Sequence, residues 1–310
     1  MKEEVVQFGE ARSLAGIVTS APQGSEDKPA VILLNPGIVH RVGPGRIYVK
    51  IARALAARGF TALRFDLSGI GDSTVRLDNC CFEKSSVDET CAAMSFLQAR
   101  KNIDRFILLG GCSGAVVSLE TARFDRRAIG AVLINFPARV DEEEQGNHHG
   151  DGHYYWNFAL LSLKSWRKLL TGRSDYRKIG RALVQGTKRK LIDRGRISGF
   201  DQRFRGTLRR LAACGVQLTF VCSKGDLLLR DLREAGGNDL KQLCAQDKVT
   251  CEVIPRSDHT FSSLYDQERL VDAILKHADA VALAATPQAQ TAEIASRPVE
   301  AHFRRSRSTF

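Results

Sequence analysis

One ten-residue stretch restricts what this chain can fold into more than any other: Phe106-Ile107-Leu108-Leu109-Gly110-Gly111-Cys112-Ser113-Gly114-Ala115. An apolar strand runs straight into a glycine-rich turn with a thiol at its centre. Unbroken apolar character suits a strand covered on both faces, and glycines let the backbone bend tightly and approach its neighbours. Val116, Val117, Leu119 and Ala122 then predict a helix whose N-terminus faces Cys112, where the positive end of the helix dipole favours the thiolate. Read as Gly110-x-Cys112-x-Gly114, the turn is a nucleophile elbow, a sharp strand-to-helix bend that lifts a reactive side chain above a sheet. A register shifted by one residue makes Ser113 the nucleophile instead. The Cys112 register is preferred because Gly110 then closes the strand and Gly114-Ala115 fall where small residues are needed. In that register Ser113 supplies one backbone N–H of an oxyanion hole.

Around this turn the chain alternates strands and helices. Val5–Phe8 and Leu14–Val18 read as two short strands joined by a polar turn. Ala30–Leu34 is apolar throughout, 46–58 reads as an amphipathic helix ending at Gly59, and Thr61–Phe65 is the next strand. A helix over 87–100 precedes the elbow strand, and Ala131–Asn135 supplies the strand after it. About eighty residues separate that strand from Gln217–Cys222. A structureless loop of such length is improbable in a compact domain, so a helical insertion is expected there. A last strand near Thr250–Ile254 and a closing helix over about 262–282 complete the pattern. From Ala285 onward Ala, Thr, Gln, Pro and Arg prevail without periodicity, which predicts a disordered tail over 285–310. Alternation with short connections implies an α/β fold with a mostly parallel sheet and helices on both faces.

A thiol needs a base, and the base needs an orienting group. Asp226 follows the strand 217–222 in Ser223-Lys224-Gly225-Asp226, and His259 follows the last strand in Ser257-Asp258-His259-Thr260-Phe261. Both fall just past the C-terminal ends of parallel strands, where sites of open α/β sheets collect. Asp258, Asp231 and Asp141 compete with Asp226 for the role of the acid. A second oxyanion donor is expected from Asn35-Pro36-Gly37-Ile38, with the N–H of Ile38 as the candidate. Arg41, just beyond, is read either as a ligand for a substrate carboxylate or phosphate or as a surface salt bridge.

These residues together resemble the α/β-hydrolase superfamily over residues 5–282. The resemblance rests on Gly110-x-Cys112-x-Gly114, on Asp66-x-x-Gly69-x-Gly71-x-Ser73 after its strand, on Asp226 and on His259. The order nucleophile, acid, histidine is the superfamily's order. The cysteine nucleophile is similar to that of dienelactone hydrolases. His40-Arg41-Val42-Gly43-Pro44-Gly45-Arg46 and Phe65-Asp66-Leu67-Ser68-Gly69-Ile70-Gly71-Asp72-Ser73 look like hydrolases encoded beside exosortase systems. The resemblance implies cleavage of an ester, thioester or lactone through an acyl-enzyme on Cys112, His259 and Asp226. An acyltransferase on the same triad, or a non-catalytic scaffold protein of a biosynthetic complex, are the alternatives. The chain departs from the common pattern in Cys for Ser and in Asn35-Pro36 for His-Gly, and the first weighs against amide cleavage: a thiolate leaves more readily than an amine.

In this architecture residues 141–210 would form a lid inserted into a domain spanning 1–284. Tyr154 and Trp156 offer aromatic bulk either to line an acyl pocket or to dock the lid itself. The net charge of +11 is concentrated here: residues 161–210 carry sixteen Lys/Arg against three Asp, and the rest of the chain is close to neutral. Such a stretch can face an anionic acyl substrate or an anionic surface, or simply be a solvated helical face. No nucleic-acid motif accompanies it. His148, His149, Asp151 and His153 match no zinc spacing, so no metal and no cofactor is expected. No apolar run reaches the roughly 18 residues of a membrane span, and the N-terminus lacks a signal-peptide core. A cytoplasmic location and eight reduced cysteines are the expectation.

Overall fold

The computed structural model of the chain describes residues 1–21, 27–138 and 199–285. Its centre is an eight-stranded sheet. The strands are β1 (Lys2–Phe8), β2 (Leu14–Ser20), β3 (Ala30–Leu34), β4 (Ala62–Phe65), β5 (Phe106–Gly111), β6 (Ala128–Ile134), β7 (Gln217–Ser223) and β8 (Val249–Ile254). They lie in the order β1-β2-β4-β3-β5-β6-β7-β8. β1 pairs antiparallel with β2 and β2 antiparallel with β4, and every pairing from β4 to β8 is parallel.

Side chains alternate between the faces of a strand, and both faces here are apolar because both are covered. Ala30, Ile32 and Leu34 of β3 enter one core with α2 (Phe82–Lys101), α3 (Ser113–Phe124), α4 (Gly199–Ala213) and α5 (Leu227–Ala245). Val31 and Leu33 enter the other with α1 (Ile47–Ala57) and α6 (Leu264–Ala284). That two-sided burial is why β3 and β5 read as continuous apolar runs rather than alternating ones.

Parallel pairing brings the C-terminal ends of β3, β4, β5, β7 and β8 to one edge, and the candidate residues lie on the loops there. The insertion expected over 141–210 overlaps the described residues only from 199. Residues 199–210 belong to α4, which closes the sheet face beside β6 and β7. Phe204 stacks on Phe136 with centroids 5.4 Å apart and meets Phe220 edge-on. The rest of that insertion, with Asp141, His148, His149, Asp151, His153, Tyr154 and Trp156, lies outside the described residues, as does the tail beyond Ala285. Among the described residues no helix is long and apolar enough to cross a membrane.

Candidate active site

The elbow is built by backbone crowding. Cys112 stands between β5 and α3 at φ 52°, ψ −119°, a conformation strained for any residue with a side chain. Its N–H donates to Ile134 C=O at 2.9 Å, and its own carbonyl accepts from Ala115 N–H at 3.0 Å. The flanking glycines leave no room for a methyl group. A Cβ on Gly110 would lie 2.1 Å from the Gly114 carbonyl carbon, and one on Gly114 would lie 2.6 Å from Leu34 O. β5, α3 and the end of β3 therefore touch through backbone, and the turn between them has one path. Ser113, the alternative nucleophile, is buried as the first residue of α3, and its Oγ accepts the Gly37 N–H at 2.8 Å. That hydroxyl faces the loop after β3, whereas Cys112 is partly exposed and its thiol neighbours His259.

Asp226 and His259 meet from separate strands. Asp226 caps α5 with one oxygen, which accepts the Leu228 N–H at 3.1 Å. Its other oxygen takes a short hydrogen bond from His259 Nδ1. Burial pushes the Asp226 pKa up, but the bonds from His259 and Leu228 outweigh it and hold the carboxyl below its ordinary value. His259 is pushed up to about 10, first by its bond to Asp226 and next by its bond to Cys112, against the opposing effect of burial. The imidazole is thus held between an acid and a thiol.

Of the competing acids, Asp258 is committed to its own loop. It accepts from Thr260 N–H at 2.9 Å and Ser262 N–H at 3.1 Å, and from both of their hydroxyls. Asp231 lies within α5, beyond the capping residue that His259 meets.

Comparison with known proteins bears on the fold. The family described as alpha/beta hydrolase fold matches residues 30–156. A serine hydrolase without a lid from Xanthomonas campestris superposes with a TM-score of 0.54 at 15% identity, over 90% of this chain and 95% of that one. The dienelactone hydrolase of Anabaena variabilis superposes with a TM-score of 0.53 at 12% identity, over 89% and 95%. This chain has the α/β-hydrolase fold. Esterase EstD of Thermotoga maritima is 31% identical over 134 residues, which cover 42% of this chain and 32% of the esterase. The chain therefore spans about a third of that relative's length.

In this α/β-hydrolase fold the loop after β3 runs alongside the elbow. Gly37 gives its N–H to Ser113 Oγ, and Ile38 follows, half-exposed, with its N–H outside the turn that links Val39 N–H to Pro36 C=O. Ser113, first in α3, has no acceptor for its N–H within the helix. Ser113 follows Cys112 in the chain, and the loop that carries Ile38 is tied to Ser113 through Gly37. Asn35, in the place of the usual His, anchors this loop: its amide donates to Val39 C=O at 3.0 Å and Asp66 at 3.1 Å, and its oxygen accepts Leu67 N–H at 2.9 Å.

Arg41 has the second of its two predicted roles. Its guanidinium forms short ion pairs with Asp66 and Asp72, and its backbone N–H donates to Asp66 at 2.6 Å. Asp66 is fully buried, so this pairing compensates an interior charge. Both ends of its fork are engaged by carboxylates that pin the loops after β3 and β4.

Three residues at this site escaped the reading of the sequence. Tyr48 is buried beneath the elbow, donating to Leu34 C=O at 2.9 Å and accepting the Gly111 N–H at 3.0 Å. It joins the oxyanion-side strand to the nucleophile strand, and burial raises its phenol pKa. Asn135 and Ser223 lie between the acid and the base. The signal for these two was a polar residue closing an otherwise apolar strand. Tyr48 gave none, since a tyrosine on a buried helix face looks like core.

Proposed function

We propose that this chain hydrolyses a carboxylic ester, thioester or lactone through a Cys112–His259–Asp226 triad and an acyl-enzyme. One observation supports the reading: His259 is bonded through Nδ1 to Asp226 and has the Cys112 thiol as its other neighbour, at a strained strand-to-helix turn. The esterase among the chain's relatives supports an ester-type bond as the target.

His259 takes the Cys112 proton or holds it as an ion pair, and its raised pKa favours the protonated ring. In the acylation step the Cys112 thiolate attacks the carbonyl carbon, and the carbonyl electron pair moves to oxygen. The N–H groups of Ser113 and Ile38 receive that oxyanion. Collapse restores the carbonyl and expels the alkoxide or thiolate, which takes the proton from His259 Nε2. Neutral His259 then removes a proton from water as its oxygen attacks the thioester, and the second collapse releases the acid and returns Cys112 as thiolate. Asp226 keeps the other proton on Nδ1 throughout, so Nε2 is the nitrogen that exchanges protons with substrate. An amine leaves less readily than a thiolate, so the tetrahedral adduct of an amide would revert.

Turnover of p-nitrophenyl acetate and a short acyl thioester by wild type, Cys112→Ala and Ser113→Ala tests this. Cys112→Ala should lose roughly 1,000-fold or more in kcat. Ser113→Ala keeps its backbone donor and should stay within about tenfold of wild type. Wild-type rates in Cys112→Ala would overturn the proposal.

A further inference from the structure

Two buried polar side chains that the mechanism above does not use sit where the acid-bearing and base-bearing loops meet. Asn135 ends β6 in the left-handed region at φ 45°, a conformation Asn tolerates better than most residues. Its Nδ2 donates to the His259 carbonyl at 2.9 Å and to Ser223 Oγ at 3.1 Å, and its Oδ1 accepts the Ser223 N–H at 2.8 Å. Ser223 Oγ then donates to the Asp258 carbonyl at 2.6 Å. Asn135 is 2% exposed and Ser223 is fully buried.

Three of these four bonds reach a backbone group within three residues of Asp226 or His259, and the fourth joins the two side chains. Ser223 is three residues before Asp226, Asp258 immediately precedes His259, and His259 itself is held by its carbonyl. The two loops leave neighbouring parallel strands and have no ladder beyond Ser223 and Ile254 to keep them in step. In dry surroundings such a network has a single fully satisfied arrangement, and a loop that slips leaves buried polar groups unpaired.

We propose that Asn135 and Ser223 are positioning residues: together they clamp the loops after β7 and β8 in the one register that lets His259 reach both Asp226 and Cys112. The proposal rests on the triad reading above. It gives β6, which carries no member of the triad, a part in the chemistry.

The test uses the full chain as Asn135→Gly, which keeps the positive φ without the amide, and as Ser223→Ala. Two readouts are taken on each: p-nitrophenyl acetate kinetics normalised to the acyl burst, and NMR titration of isotope-labelled histidine, with His259→Gln identifying the resonance. The clamp predicts a loss of roughly 10- to 100-fold in kcat per active site. KM should stay within about threefold, as expected when an interaction specific to the transition state is lost. The His259 titration should move down from its raised position towards that of ordinary histidine. Unchanged per-site kcat with an unchanged titration would overturn it. So would a loss of activity explained wholly by fewer active sites, because that is mere unfolding. The titration needs no turnover, so it decides the clamp even if Cys112→Ala retains full activity and the triad reading fails.

Discussion

The two halves of the candidate site are held by different physics. On the nucleophile side, position is set by backbone contact: Gly110 lies against Gly114, Gly114 against Leu34 and Asn35, and Cys112 takes the only torsion left. On the base side, position is set by side-chain hydrogen bonds, from Asn135 to Ser223 and His259, from Ser223 to Asp258, and from Asp258 into the turn 260–262. Steric crowding tolerates no variation in shape, whereas a polar clamp can loosen bond by bond. The glycine frame around the nucleophile should therefore fail in stability when altered, whereas the thiol itself and the base side should fail in rate.

The largest effect expected is chemical. Cys112→Ala should abolish turnover by about 10,000-fold while leaving the thermal transition within a few degrees of wild type, since the partly exposed thiol packs little. A large loss of Tm in this variant would break the contrast. Next comes Gly110→Ala, whose methyl would overlap the Gly114 carbonyl. It should cost more than about 4 kcal/mol in denaturant unfolding, the range of severe core strain. A stable Gly110→Ala would show that the elbow can relax. Smaller again is Asp226→Asn, expected to lower kcat by roughly 100- to 1,000-fold with the fold retained, because the amide can still cap α5. Asp258→Asn, by comparison, should lose no more than about tenfold, since it acts through the loop alone.

The smallest effect sets two histidines against each other. His277 of α6 is buried with Nδ1 at 2.7 Å from Thr219 Oγ1 and, among the described residues, no partner at Nε2, and burial pushes its pKa down to about 4. A depressed folded pKa means that the unfolded chain binds the proton first. The stability from neutral His277 is complete above the unfolded value of 6.5 and is lost as pH falls towards 4, by up to about 3 kcal/mol. His277→Leu should flatten unfolding free energy across that window. His259 has the opposite sign. Its contribution is present below the unfolded value of 6.5 and declines as pH rises through about 10. His259→Gln should therefore change the alkaline limb and leave the acid limb alone.

Legibility in the sequence follows the same division. The elbow is local and crowded, so Gly110, Cys112 and Gly114 announce it within five residues, and the central strands β3, β5 and β6 show as apolar runs. Asp226 and His259 were legible only through their order and their positions after strands, because nothing in either segment says that the two loops touch. Asn135, Ser223 and Tyr48 act by contacts across 14 to 124 positions, which no local pattern carries. α5 was not read as a helix because Gly236-Gly237 interrupt its periodicity; there the chain kinks at φ 52°, and Arg205 of α4 donates to the freed carbonyls of Ala235 and Glu234. Arg41 looked like a ligand because its partners, Asp66 and Asp72, lie 25 and 31 residues away.

Mass spectrometry of enzyme quenched during turnover of p-nitrophenyl acetate tests the central claim most directly. The account predicts one acetyl adduct, mapped to the peptide bearing Cys112, present in wild type and absent from Cys112→Ala. An adduct on Ser113, or turnover in wild type with Cys112 unmodified under single-turnover conditions that trap a covalent intermediate elsewhere, would contradict it.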